Sequence, residues 1–369
     1  MQSLNEKEWR EFDFAEIFDI KEGFYNKKPE DSGNGTIPFL GATDSNNGVT
    51  RFLTLDEIAN STKTGVLPNY PLDKKLFPGH AIAVTNNGSV GHAYYQATPF
   101  TCSHDINLLY LRDHEMSRDE ADFLIKAIEE QGKLFQYARK WRPIRMVKSK
   151  LMLPVTDSGE PDYAYMAEYS QQKRDAMLAK YRAYVEARIA ELCEYVEIPK
   201  LDEKEWKPIY ISDIFEFVRG RENNMAMLED GDIPLISAKA NNNGLKGFVH
   251  SPKKVIDGRC ITLNNDGDGG AGLAYYQPEN MALDSHVTAL IPLIDMSAFV
   301  MLFIAKCISG LHGFFGHGLS ISNSRAKRLR IMLPITDSGE PDYEYMEQYA
   351  KNMMIRKYEQ YLTFLSGKE

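Results

Sequence analysis

Apolar positions recur at steps of three or four residues in two polar, Glu/Lys/Ala-rich segments that contain no Gly or Pro. In the first, from about Tyr163 to Val196, they are Leu178, Tyr181, Val185, Ile189, Leu192 and Val196; in the second, from about Tyr343 to Leu365, they are Ala350, Met354, Tyr358, Tyr361 and Leu365. This spacing lays one apolar seam along each of two helices, about 50 and 33 Å long at 1.5 Å per residue. Each follows the segment TDSGEPDY, whose Asp, Ser, Pro and acidic residues are helix-start signals. A helix of that length needs a partner surface, and the nearest candidate is the other helix, so the pattern predicts an antiparallel coiled coil. Upstream of each lie about 140 to 160 residues of short β-type runs, such as HAIAVTNN and RCITLNND, broken by Gly, Asn and Pro turns. One conventional amphipathic helix interrupts each, at about 117–131 and 296–309. The predicted class is mixed α/β (α+β): globule, long helix, globule, long helix.

The two halves repeat each other. LMLPVTDSGEPDYAYM at 151–166 and IMLPITDSGEPDYEYM at 331–346 agree at thirteen of sixteen positions, at an offset of 180. Weaker echoes follow the same order: Glu8-Trp9, Ile17-Phe18 and Gly23 with Glu205-Trp206, Ile214-Phe215 and Gly220; Ile37-Pro38 with Ile233-Pro234; Asn46-Asn47-Gly48 with Asn242-Asn243-Gly244. The block AYYQ occurs at 93–96 and at 274–277, and Ser103-His104 matches Ser285-His286. A tandem duplication is the reading. Between these landmarks the halves diverge, as in VTNNGSVGH at 84–92 against LNNDGDGGAGL at 263–273. The halves share a scaffold and differ in loops, where binding residues are usually carried. The division predicted is a domain at 1–162, a helix at 163–200, a second domain at 201–341 and a second helix at 342–369.

Composition narrows the class. With 369 residues, 43% hydrophobic and 26% charged, the chain is ordinary globular protein of about two domains. The longest apolar stretch, Ser297 to Ile308, is interrupted by Lys306 and is short of the ~20 residues a membrane span needs. The N-terminus lacks a basic start with an apolar block, which places the expected site of action in the cytoplasm. Cys102, Cys193, Cys260 and Cys307 are too scattered for a disulfide framework and read as free thiols. A net charge of −9 argues against coating nucleic acid through charge alone, though not against local basic patches.

The layout resembles the specificity subunit of type I restriction-modification systems, and the related type IIB systems with a separate specificity chain. The resemblance spans the chain and rests on Asp213-Ile214-Phe215 with Gly220, the looser Glu16-Ile17-Phe18 with Gly23, the IPF and IPL turns, and the MLP elements at 152–154 and 332–334. It implies two tandem target-recognition domains, each followed by a long spacer helix, the helices forming an antiparallel coil with pseudo-twofold symmetry. It also implies a non-catalytic chain that reads a bipartite, asymmetric target in double-stranded DNA. Methyltransferase subunits, and a restriction subunit, would dock on it; S-adenosylmethionine belongs to the methyltransferase, and this chain binds no cofactor or metal. TDSGEPDY, where the family commonly has a proline-glutamine start, is nearer the type IIB branch.

The local chemistry agrees with a reader of base edges and phosphates. From Gln131 to Lys150 there are seven basic residues and no acid: Lys133, Arg139, Lys140, Arg142, Arg145, Lys148 and Lys150. Between Asp295 and Asp337 the acid-free stretch carries Lys306, Arg325, Lys327, Arg328 and Arg330, with His312, His317, Ser322 and Asn323 nearby. Both precede the MLP element. Trp141 in KWRP reads as a buried anchor. Polar turns form a second candidate set: Asn46, Asn47, Asn86, Asn87 and Ser89 in the first half, and Lys239, Asn242, Asn243, Lys246, Asn264 and Asn265 in the second, flanked by Arg51, Arg219 and Arg221. Asn is equally the residue expected where a turn needs a left-handed backbone.

Other chemistries find no support. Adjacent Ser-His pairs rarely act as nucleophile and base. GDGGAG at 267–272 matches GxGxxG, but the strand-like LAYYQ follows it rather than a helix. No GxxxxGK[ST] or Asn-Pro-Pro-aromatic sequence occurs, and the eight histidines show no zinc spacing. The alternative is a tandem protein-interaction scaffold that does not bind DNA, against which the matched basic stretches argue.

Overall fold

The structure is a computed structural model that describes residues 2–135, 139–192, 195–223, 227–267, 270–315 and 319–366. The two TDSGEPDY segments fold alike. The Thr156 N–H donates to the Glu160 carbonyl and the Gly159 N–H to the Thr156 carbonyl, both at 2.9 Å, with Gly159 at φ 81°, where glycine meets no Cβ penalty. The chain then starts the helix Tyr163–Leu192. Asp162 caps it: Oδ1 accepts the Tyr165 N–H at 3.0 Å, and Oδ2 pairs with Lys7 at 2.7 Å. Asp342 repeats this with Tyr345 at 3.0 Å and Lys204 at 2.7 Å, ahead of the helix Tyr343–Ser366.

Desolvation pushes both cap carboxyls up, but the lysine and backbone hydrogen bonds outweigh it and leave them below the ordinary aspartate value of 3.8. A depressed carboxyl contributes stability that is present above the unfolded value and is lost as pH falls through the folded one. Asp162→Ala is therefore expected to cost about 1 kcal/mol near neutral pH, read as a lower urea midpoint at unchanged slope. The difference from wild type should shrink below pH 3.8; a gap that ignores pH would exclude the cap charge as its source.

Contacts divide the chain into Met1–Tyr181 and Arg182–Glu369, the division falling inside the first long helix. In the first unit a four-stranded antiparallel sheet runs in the order Phe18–Glu22, Ile106–Leu111, Ala81–Thr85, Ala93–Gln96. A second sheet orders Val49–Leu53, Ile37–Leu40 and Thr101–Cys102, the last pairing being parallel. A ribbon joins Trp9–Asp13 to Lys150–Pro154. The helix Arg118–Gly132 packs on the first sheet's edge and on this ribbon, closing a core of Phe14, Phe18, Ile82, Leu109, Leu124, Trp141 and Met166. Phe39, Leu40, Leu53 and Phe100 lie in a second core.

The second unit repeats these three layers. Phe215–Arg219, Val287–Pro292, Cys260–Asn264 and Ala274–Gln277 form its antiparallel sheet, and Trp206–Tyr210 with Arg330–Pro334 its ribbon. Leu245–Val249, Asp230–Ile236, Met281–Leu283 and Val255–Ile256 form the other sheet. The helix Ala298–Ser309 holds the apolar stretch singled out in the sequence; no helix among the described residues is long and apolar enough to cross a membrane. Gly23 and Gly220 occupy matched close approaches: a Cβ on either would stand 2.1 Å from the Ser103 carbonyl oxygen or 2.0 Å from that of Asp284.

Both seams exist as helix, with Val185, Leu192, Ala350 and Leu365 buried and Tyr181 and Tyr361 partly exposed. One position is corrected. Val196 is not helical, because its N–H and C=O are taken by the Asn352 side chain at 3.3 and 2.6 Å, and Ile198-Pro199 disfavours continued helix. Within the second unit the Arg188 guanidinium also bonds Tyr358, and the Arg356 guanidinium bonds the Tyr195 hydroxyl. Cys102 and Cys260 are buried and Cys307 half-buried, all free, and burial pushes the Cys260 thiol up to about 12; Cys193 lies outside the described residues.

Candidate nucleic-acid interface

The two basic stretches fold into the same element, a loop with one helical turn, Pro143–Met146 or Asn323–Ala326, leading into the ribbon strand. An arginine closes each loop: Arg145 Nη1 donates to the Lys140 carbonyl at 2.8 Å, and Arg325 Nη1 donates to the Ser320 carbonyl. Arg139, Arg145 and Lys148 are exposed, and Lys140 is half-buried. None of the four forms an ion pair among the described residues, nor do Arg325, Lys327 and Arg328. Arg139 lies over the Phe135 ring at 5.1 Å and Lys327 over Phe217 at 5.9 Å. In the first unit Arg139, Arg145 and Lys148 line a cleft of about 670 Å³ with Leu134, Phe135 and Ile144, and the Lys150–Glu11 pair lies on its wall.

Buried polar residues hold each loop to its sheet. The Trp141 N–H donates to the Asn86 carbonyl at 3.1 Å, while Asn107 Nδ2 donates to the Trp141 carbonyl at 2.9 Å and Asn107 Oδ1 accepts Asn86 Nδ2 at 2.8 Å. The second unit builds the same latch from other residues. The Ile321 N–H donates to the Asn265 carbonyl at 2.6 Å, and Asn265 Nδ2 donates to the Ile321 carbonyl at 2.6 Å. The Thr288 hydroxyl sits 2.8 Å from Asn265 Oδ1 and 2.9 Å from Asn323 Oδ1. Trp141 is fully buried, stacked on Phe135 at 4.8 Å and donating to Ser149 Oγ at 2.9 Å, as its expected anchor role requires.

Burial corrects three candidate residues, and several others hold a partner within the protein. Asn86, Asn264 and Asn265 are inside the protein, so they cannot reach a base edge; Asn264 Nδ2 donates to the Lys239 carbonyl at 3.0 Å. Asn46, Asn47, Asn242 and Asn243 all have φ near +50°, the left-handed turn role. Asn47 and Asn243 donate their amides to the Tyr95 and Tyr276 carbonyls, and Asn46 to Val49. Arg51 is held by Asp31 at 3.0 Å and by the Pro29 carbonyl, and Asn87 by Asp105 at 2.9 Å. Arg142 faces the same Asp105 at 3.7 Å, and Lys150 pairs with Glu11 at 2.6 Å, so the acid-free stretch is not acid-free in space. Lys239 Nζ donates to the Leu245 carbonyl at 3.1 Å and Arg219 Nε to the Ser285 carbonyl at 3.0 Å.

Arg221, Lys246 and Ser322 remain exposed, Ser89 is half-buried, and Ser322 Oγ caps its turn by accepting the Arg325 N–H at 3.2 Å. His317 lies outside the described residues. The Ser-His pairs make no nucleophile-base contact: His286 Nδ1 meets Asp284 at 3.1 Å and His104 Nδ1 the Tyr25 carbonyl at 3.1 Å. Among the described residues no group of three or more His, Cys, Asp or Glu is placed to hold a metal. The sequence reading missed Asn107, Thr288 and Asp105. The first two had a signal, a lone polar residue inside the apolar strands INLLYL and VTALIP.

Two globular units of the same fold each present a latched basic loop ahead of a long helix. The family model for the type I restriction modification DNA specificity domain matches residues 6–178 and 203–361, and the chain belongs to that family. It is 25% identical over 281 residues to the specificity subunit S.BcgI of the type II restriction enzyme BgcI from Heyndrickxia coagulans, covering 76% of this chain and 80% of that protein. In fold it is similar to the S subunit of a type I restriction-modification system from M. genitalium, with a TM-score of 0.51 at 17% identity over 100% of this chain and 94% of that one. The HsdS subunit from Thermoanaerobacter tengcongensis aligns with a TM-score of 0.31 at 12% identity, over 98% and 91% of the two chains.

Proposed function

We propose that this chain is the sequence-reading subunit of a restriction-modification complex and that each unit reads one half of a bipartite double-stranded DNA target. The observation that carries the reading is the latched basic loop, built twice at the same place in a chain of net charge −9. Cations on such a loop hold phosphates, and neighbouring side chains reach base edges in the groove. Because the loops differ, the half-sites differ and the target is asymmetric. The long helices serve as an antiparallel ruler between the half-sites, whose spacing must respect the DNA helical repeat, and as the docking face for methyltransferase subunits. Those partners supply S-adenosylmethionine and the chemistry, with a restriction subunit joining them; this chain contributes recognition and no catalytic group. The Arg188–Tyr358 bond supports the pairing of the helices.

Methylome sequencing of the host with and without the gene tests this. The expected result is loss of methylation at one split, asymmetric motif. An unchanged methylome, with purified complex showing no preference among random DNA sequences, would overturn it.

A further inference from the structure

Ile144 is a large apolar residue on a basic surface. It is 74% exposed, as the second residue of the turn Pro143–Met146, and it lines the same cleft as Arg139, Arg145 and Lys148. With Leu134, itself 59% exposed, it forms an apolar patch within a rim of cations, and an exposed apolar patch rimmed by polar groups marks a contact surface. Its backbone is held in place: Arg145 closes the loop, and Asn107 ties Trp141 to the sheet three residues earlier. The side chain is β-branched and stiff at χ1, so its position follows from that of the turn.

We infer that Ile144 is a specificity-determining residue that touches the C5 methyl of a thymine in the half-site read by the first unit. The inference rests on the DNA-reading function proposed above. If the flanking cations sit on phosphates, the group between them faces the base edges, where thymine's methyl is the one apolar feature of the major groove. A helical turn suits that groove, while an apolar wedge acts by unstacking bases from the minor groove. The matching position in the second unit is Ser324, whose hydroxyl lies 3.0 Å from Ser322 Oγ. The two units therefore present opposite chemistries at one point of a shared loop, which makes this position a source of the target's asymmetry.

The test is a cycle between protein and DNA. The chain, purified with its partner subunits, is titrated with its target duplex in which each thymine of the first unit's half-site is replaced in turn by uracil, which lacks the methyl. At one position wild type should lose about fourfold in affinity, the worth of one buried methyl-sized group. Ile144→Ser should lose a similar factor on the thymine target and be indifferent to uracil at that position. Ile144 is exposed, so the variant should keep the wild-type melting temperature. Wild-type indifference to uracil at every position, a half-site without thymine, or an Ile144→Ser variant still sensitive to uracil would each overturn the assignment. A variant that weakens all DNA equally would make Ile144 a wedge or a loop-shape residue and would also overturn it. Failure of the parent reading looks different: the complex would prefer no duplex over random DNA, and both proposals would fall together.

Discussion

The triple variant Arg139→Gln, Lys140→Gln, Lys148→Gln is expected to bind target DNA several hundredfold more weakly than wild type at about 0.1 M salt. These three cations are accessible on the first unit's loop and form no ion pair among the described residues. Each phosphate contact releases counterions and adds about 0.9 to the slope of log affinity against log salt. Losing three contacts should flatten the slope by about 2.7, and most of the affinity difference should vanish as salt approaches 1 M. Arg145 is left in place because it closes the loop through the Lys140 carbonyl, so the variant removes charge and not shape. Glutamine keeps polarity and part of the aliphatic stem without the charge, and an unchanged melting temperature would show that the fold is intact. Titrations of the assembled complex at several salt concentrations read the result. An unchanged slope would mean that the DNA contacts lie elsewhere.

Asn107→Leu should act on the same function from inside the protein. Asn107 is fully buried, and its amide bridges Asn86 and the Trp141 carbonyl. Leucine fills similar volume but leaves the Asn86 Nδ2 donor and the Trp141 carbonyl without these partners, at about 1–3 kcal/mol for each buried unpaired group. A total of about 3 kcal/mol lowers the melting temperature of a unit this size by roughly 6–12 °C. The loop then loses its register on the sheet, so DNA affinity should fall even at temperatures where the protein is folded. Asn107→Thr, which places in the first unit the hydroxyl that Thr288 uses in the second, should recover part of both losses. A cooler melt with normal DNA binding would separate the latch from the interface.

Much of the architecture was visible in the sequence because it rests on local physics. The helices Tyr163–Leu192 and Tyr343–Ser366 begin where TDSGEPDY predicted, since the cap aspartate, the left-handed glycine and the proline are read within eight residues of chain. The shared fold of the two halves followed from their repeat. The end of the first helix was not legible, because it depends on Asn352, which is 156 residues from Val196 in sequence.

The candidate site divides along the same line. That the stretches from Gln131 to Lys150 and between Asp295 and Asp337 are basic and occur twice is a property of composition at fixed positions, and the sequence by itself determined it. Which of their cations stay unpaired was decided by tertiary structure: Glu11 comes to Lys150 and Asp105 to Arg142, leaving Arg139, Lys140, Arg145 and Lys148 without an acidic partner among the described residues. The asparagines show the same division. An asparagine beside a strand end can turn the chain or bridge buried groups, and the same Asn-Asn-Gly run serves both, the first at 46–48 and the second at 86–88. Only the packing of the loop against the sheet makes Asn86 and Asn265 internal latches, since burial and hydrogen-bond partnership are relations between distant segments, whereas periodicity, capping and repeat are carried by neighbours along the chain.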